Sequence, residues 1–416
     1  MRMMKRNIYN VAMALTVLVC ACARNAEPET ANGGQLSFSP ALSSPSSKVI
    51  FDGGAFPTDA GAFSVSAVAL TGSTGTGQVL YFFNKAVAYD EAKTQWAFKA
   101  DASGVVPRYY WPLAGGMNFY AFYPESDVLT TRGIIVPETD PETGQPETVP
   151  VISEGGLAYK NYTIKHTGGD YAPIEDDSEK TDSNLGNAYI DFMSATQLYD
   201  DVNTRTSQSV PLLFTHNLTR VNFQAVAARD LSIKNQVASS DGTRTYDVVN
   251  HVDISVDRIE LLDIYSIGSY YSIAPHWRDL KAKYNYFPLT REMGSGTKLE
   301  YEEGEIGART PVAVDIKKDG DLPAEMLVIP QSLGSASIKV WFTVRQRTVR
   351  NEGKTGEFVV NDYSETYIKN VSLSTVVSDF RISSCVTFLL NIDLDEITVS
   401  VTYSDWKSDG EITPVI

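Results

Sequence analysis

Through most of this 416-residue chain the apolar residues recur at every second position. Alternation of that kind puts successive side chains on opposite faces of a strand, with one face turned to a core. Phe63-Ser-Val-Ser-Ala-Val-Ala-Leu70, Met117-Asn-Phe-Tyr-Ala-Phe-Tyr123, Val252-Asp-Ile-Ser-Val-Asp-Arg-Ile259 and Ile397-Thr-Val-Ser-Val-Thr-Tyr403 all carry it. No long stretch has a convincing helical period. The pieces between such runs, Thr71-Gly-Ser-Thr-Gly-Thr-Gly77 and Arg350-Asn-Glu-Gly-Lys-Thr-Gly356, have the composition of hairpin connections. The expected fold class is all-β.

The N-terminus departs from this pattern. Arg2, Lys5 and Arg6 precede the apolar stretch Ala12–Cys22, which is far shorter than the roughly 20 residues of a spanning helix and reads as a secretory signal over residues 1–21. Its end is similar to a bacterial lipobox, with aliphatic Val19 at −3, small Ala21 at −1 and Cys22 as lipid acceptor. Cys20 would place Val19 where a small residue belongs. An ordinary cleaved signal with chance cysteines is the competing reading. Residues 22–48 then form a lipidated leader. In it the polar pieces Glu27–Gly34 and Ser39–Ser47 flank the strand-like Gln35-Leu-Ser-Phe38, a candidate first strand.

The chain left after residue 21 is long enough for two domains. Cys385 is the only cysteine beyond the signal region, so no intramolecular disulfide is expected and stability must come from buried apolar area. The formal charge of −16 argues against nucleic acid or an anionic membrane surface as partner, because both require clustered Lys and Arg. Pro137–Gly186 is a polar insert rich in Pro, Gly, Asp and Glu, read as an elaborated surface loop or as partly disordered. After it, Ala188–Ala195 resumes strand character. The polar piece Asp200–Ser209 separates this from Val210-Pro-Leu-Leu-Phe214. The expected domains are therefore 49–208, carrying the insert 137–186, and 209–416.

No catalytic constellation emerges. His166, His216, His251 and His276 lack any metal-ligand spacing, and His216, between Phe214 and Leu218, reads as a hydrogen-bonded strand-end residue. Gly353-Lys354-Thr355 ends like a phosphate loop, but Thr348 stands where its first glycine belongs. Asp315–Gly320 begins like a calcium loop, but Lys317 and Met326 occupy ligand positions. There is no GxSxG elbow, and Cys385 lies beside an apolar strand as a buried structural thiol. The densest carboxylate cluster, Glu302, Glu303 and Glu305, has the character of a solvated loop, although a glycosidase pair could be distant in sequence. The aromatic residues, Tyr109, Tyr110, Trp111, Phe119, Phe122 and Trp341 among them, lie in strand-like runs and are expected to fill cores. The expectation is a protein that is not an enzyme, with neither cofactor nor metal.

Several segments, taken in order, resemble the fimbrillin superfamily, the lipoprotein pilins of Bacteroidales-type bacteria. Tyr109-Tyr-Trp-Pro-Leu-Ala-Gly-Gly-Met-Asn-Phe-Tyr-Ala-Phe-Tyr-Pro124 is similar to the family's Trp-Pro turn and aromatic strand. Asp191-Phe-Met-Ser-Ala195 followed by Val210–Phe223 resembles the passage into its second domain, Met326-Leu-Val-Ile-Pro-Gln331 its Ile-Pro-Gln strand, and Ile397–Trp406 its closing strand. The resemblance implies two β-sandwich domains of transthyretin-like topology and export to the outer membrane as a surface-exposed lipoprotein. It further implies cleavage by a trypsin-like protease near the N-terminus, loss of the first strand and its replacement by a strand of the next subunit. The family cut commonly follows Arg; here the place holds Lys48, before Val49, the only basic residue between Arg24 and Lys85. The implied partners are other fimbrial subunits, with a host protein or glycan as adhesion target, and the role is shaft, tip or accessory subunit of a fimbrium. The C-terminal end supplies a candidate donor strand: Ile397, Val399, Val401 and Tyr403 form one apolar face, and Ile412 and Ile416 stand beyond it. The alternatives are that Ile397–Tyr403 is a core strand of its own domain, and, for the protein as a whole, a monomeric surface glycan-binding lipoprotein of a nutrient-uptake system.

Overall fold

The computed structural model describes residues 34–42, 54–58, 61–71, 77–131, 133–135, 137–139, 144–146, 149–153, 156–164, 191–205, 209–228, 233–290, 292–299, 310–314 and 325–405. Cys22, Lys48, Val49, Ile412 and Ile416 lie outside them, as do Glu302, Glu303 and Glu305. The fold is all-β, as the alternation predicts.

The first part of the chain runs β1 (Ser37–Leu42), β2 (Gly54–Ala55), β3 (Ala62–Thr71), β4 (Gly77–Asp90), β5 (Gln95–Phe98), β6 (Gly116–Tyr123) and a short helix α1 (Ser126–Thr131). After these come β7 (Val151–Ser153), β8 (Gly156–Thr163), β9 (Met193–Tyr199) and β10 (Ser209–His216). One sheet takes the order β10-β9-β6-β3-β4-β5-β1-β2, and β1 also pairs with β10, so the sheet closes on itself. Inside the closure sits an aromatic core that includes Phe56, Phe63, Phe82, Trp96, Phe119 and Phe214. Closure removes the exposed edges that an open sheet of this size would present.

The second part runs β11 (Thr219–Ala227), β12 (Ile233–Ala238), β13 (Thr245–Tyr271), β14 (His276–Thr290), β15 (Thr297–Leu299), β16 (Val312–Ala313), β17 (Glu325–Val328) and β18 (Gln331–Ser332). It ends with β19 (Ser337–Arg350), β20 (Phe358–Ser372), β21 (Asp379–Phe380), β22 (Ser384–Asp393) and β23 (Glu396–Asp405). One sheet is β16-β11-β22-β23 with β17 on β11. The other is β20-β19-β13-β8-β7, with β12, β14 and β15 on β13. The two share a single core in which Phe223, Phe342 and Phe388 are buried.

Two expected divisions of the chain look different in the structure. β10, the strand with which the second domain is expected to begin, hydrogen-bonds into the first sheet, against β1 and β9, and the chain passes into the second sheets only after His216. Within the insert 137–186, β8 is ordered and largely buried and pairs with β13, so this segment contributes a strand to the second sandwich. Its remaining residues 165–186 lie outside the described set. Trp341 also departs from expectation. It points away from the core that buries its neighbours Val340 and Phe342 and carries the Arg258 guanidinium at 4.7 Å and the Lys339 ammonium at 4.6 Å over its ring, an arrangement favoured by the ring's negative face.

Candidate functional site: the seat of the first strand

β1 begins within the segment singled out as a first strand. Its flank is fixed by Leu36 N–H donating to Tyr109 O at 2.8 Å and Trp111 N–H donating to Gly34 O at 3.1 Å. Along its length it runs parallel to β10, from Ser37 opposite Ser209 to Leu42 opposite Phe214. On its other side it meets β5 at one residue, Phe38 opposite Trp96, and β2 at Ala41 and Leu42. The strand alternates as its sequence requires: Phe38, Pro40 and Leu42 point inward and are buried, while Ser39 is exposed. Phe38 meets Phe98 edge-on with ring centres 5.2 Å apart and Phe63 at 6.3 Å.

Pairing along this seam is unbroken over six residues, Pro40 and Pro211 included. Only alternate N–H groups of a parallel strand point at a given neighbour, so the two prolines interrupt nothing here. The Ser37 and Ser209 hydroxyls add a side-chain hydrogen bond at 2.8 Å. Burial of Leu36, Phe38 and Leu42 contributes about 1.5–3 kcal/mol for each such side chain. The next strand, β2, folds back on β1, and the connection between them, residues 43–53, contains Lys48.

At the far end of β10 the seat joins the second sandwich. His216 Nδ1 lies 2.8 Å from an Asp191 carboxylate oxygen, both side chains being only 2 % exposed, which matches the hydrogen-bonded role expected of this histidine. The next residue, Asn217, receives the Ser194 hydroxyl on Oδ1 at 3.0 Å and the Trp277 indole N–H on its carbonyl at 2.7 Å. Ser194 also shares a 2.6 Å hydrogen bond with the Tyr270 hydroxyl, whose pKa burial pushes well above the usual phenol range. These buried hydrogen bonds tie strand ends of the first sheet to the hairpin β13–β14.

The other candidates fall elsewhere. Ile397, Val399, Val401 and Tyr403 lie on β23, which pairs residue for residue with β22 from Ser384–Asp405 to Asp393–Glu396; their partly buried side chains pack on the second core. Cys385 is a buried thiol, with the Asn222 amide nitrogen 3.9 Å from its sulfur. Among the described residues no three His, Cys, Asp or Glu side chains are grouped to hold a metal ion. An open cleft of about 420 Å³ lies between α1 and the insert, lined by Asn84, Ser126, Asp127, Thr130 and Thr131 above Pro137 and Val149. Among the described residues its lining offers no aromatic ring on which a sugar could stack.

No protein-family profile matches the sequence, and no curated protein matches it. Solved structures do. A fimbrial protein from Bacteroides vulgatus ATCC 8482 superposes with a TM-score of 0.53 at 14% identity, covering 90% of this chain and 100% of that one. Two others overlap less well. One is a candidate cell adhesion protein from Bacteroides ovatus ATCC 8483 (TM-score 0.43, 12% identity, 91% of this chain and 99% of that one). The other is a tip fimbrial protein from Porphyromonas gingivalis with C-terminal truncation (TM-score 0.31, 11% identity, 83% of this chain and 94% of that one). With its closed first sheet and β-sandwich second half, this chain has the fold of a Bacteroidales fimbrial protein, in keeping with the fimbrillin-like motifs of its sequence.

Proposed function

We propose that the protein is a structural subunit of a cell-surface fimbrium, in a shaft, tip or accessory position, that polymerises by strand exchange and serves adhesion without being an enzyme. The observation that carries this reading is the seat of β1: a strand that closes a sheet, paired along its length with β10 but at only one residue with β5 and two with β2, and joined to the body through the segment containing Lys48. Cutting between Lys48 and Val49 leaves β2 on the body and frees β1. The sheet that loses it gains an apolar groove and an unpaired β10 backbone, which an incoming strand satisfies together.

The C-terminal hexapeptide matches the departing strand position by position. Ser37-Phe-Ser-Pro-Ala-Leu42 and Glu411-Ile-Thr-Pro-Val-Ile416 share a polar, apolar, polar, Pro, apolar, apolar order. Ile412, Pro414 and Ile416 therefore stand where Phe38, Pro40 and Leu42 point inward. In this reading Cys22 carries the lipid that holds the precursor at the outer membrane, and the partners are further subunits. The fold shared with a Bacteroides fimbrial protein supports it.

The test is assembly. The full-length lipidated chain, treated with trypsin, is expected to give ladders on non-denaturing gels and fibres in electron micrographs, and Lys48→Ala is expected to give neither. A treated protein that stays monomeric and binds polysaccharide would instead support the glycan-binding lipoprotein.

A further inference from the structure

In the larger sheet of the second sandwich, β14 and β20 are long edge strands, and they are built differently. β14 carries Arg278, Asp279, Lys281 and Lys283 and is kinked by left-handed residues at Asp279 and Ala282, features that blunt an edge against another strand. β20 has no left-handed residue and, beyond a bulge near its hairpin where the pairing skips Val360, no kink. Among the described residues it pairs only with β19. Over Phe358–Ser372 it contains no Pro or Gly and just three charges, Asp362, Glu365 and Lys369. Val360, Tyr363 and Ile368 are 52%, 51% and 54% exposed.

We infer that β20 is a homotypic docking edge, which pairs antiparallel with β20 of a second copy of this chain about a two-fold axis passing through Thr366. Symmetry restricts the choice of register. A two-fold axis normal to a sheet keeps each side chain on its own face, so a residue can lie opposite only residues an even number of positions away. An axis at Glu365 would set the two Glu365 carboxylates directly opposite, which is destabilising. Moving it to Thr366 puts Glu365 opposite the second copy's Tyr367 and Lys369 opposite its Tyr363, with Glu365 and Lys369 diagonal neighbours across the seam.

The side chains are already arranged for this. Tyr363 and Tyr367 donate to the same Glu365 carboxylate oxygen at 2.9 and 2.8 Å. These hydrogen bonds, that from Tyr367 foremost, hold the Glu365 pKa below the usual carboxylate range. The row Tyr363, Glu365, Tyr367, Lys369 is thus charge-balanced against its own two-fold copy. Asp362 is engaged by Arg345 at 2.6 Å and would meet Asn370. Nothing in this edge depends on release of β1.

The test uses the full-length, uncleaved protein in detergent, so that strand exchange contributes nothing. Thr366→Cys is expected to form a reducible dimer under mild oxidation, with the wild-type chain reporting any background from Cys385. Ser364→Cys, two residues off the axis, is expected to cross-link at least tenfold less. In sedimentation, wild type is expected to show a concentration-dependent monomer–dimer equilibrium that Lys369→Glu weakens at least tenfold and the swap Glu365→Lys/Lys369→Glu restores. A monomer at all concentrations, equal cross-linking at 364 and 366, or a dimer indifferent to Lys369→Glu would overturn the assignment.

Discussion

Phe38→Ala tests the seat of β1 most directly. The side chain is 4% exposed and is packed edge-on against Phe98 and Phe63. Truncating a buried Phe to Ala costs about 3–5 kcal/mol, against a total domain stability of about 5–15 kcal/mol. Where that loss appears depends on how β1 is held. Its partners are continuous on the β10 side but on the other are limited to single-residue contact with β5 and a two-residue contact with β2, so the strand can open without unfolding the rest of the sheet. At 1.4 kcal/mol per factor of ten, the open state becomes more populated by a factor on the order of 10² to 10³. Native-state hydrogen exchange on peptides spanning β1 and β10 reads this factor, with β6 as internal reference. The expected outcome is acceleration in β1 and β10 with β6 unchanged. Acceleration below tenfold would show that burial does not hold the strand, and equal acceleration in β6 would show that β1 does not open on its own.

The remaining predictions concern processing and the joint. Cys22→Ala is expected to abolish incorporation of labelled palmitate; retained label would put the lipid elsewhere. Edman sequencing of assembled fibres is expected to begin at Val49, and a different first residue would remove Lys48 from the scheme. Deleting Glu411–Ile416 is expected to leave a folded, lipidated protein that makes no ladders. Normal ladders would exclude the tail as donor, and global unfolding would make it part of its own domain. His216→Ala, which removes the Nδ1 partner of the buried Asp191 side chain, is expected to cost about 1–3 kcal/mol in urea unfolding; an unchanged stability would mean that this hydrogen bond does not hold the joint.

The strands themselves were legible wherever apolar and polar or small residues alternate: β3, β6, β13 and β23 each contain a run read from the sequence. β8 escaped because it lies in a polar stretch and Asn161, in the left-handed region at φ 53°, breaks its period. The membership of β10 escaped for another reason. Nothing in Val210-Pro-Leu-Leu-Phe214 states which sheet will accept it, since that depends on β1, far away in the sequence. Trp341 shows the limit of composition. Its run is strand-like, but which face an aromatic occupies follows from parity, set here by buried Val340 and Phe342. The correspondence between β1 and the C-terminal hexapeptide became visible only when the structure fixed the bounds and inward positions of β1.

In the filament proposed above, the parallel course of β1 beside β10 would have a mechanical meaning under tow. A strand pulled along its own axis against a parallel neighbour loads all its pairings at once, in shear, whereas a strand peeled from its end breaks them one after another. β10 passes into β11 through Asn217 and Leu218 alone, and β11 in turn runs parallel to β22 over nine registered residues, Thr219 to Ala227. A donor seated as β1 is seated would therefore hand tension across a locked, two-residue joint to the middle of the next sheet, with no slack loop in the line of force.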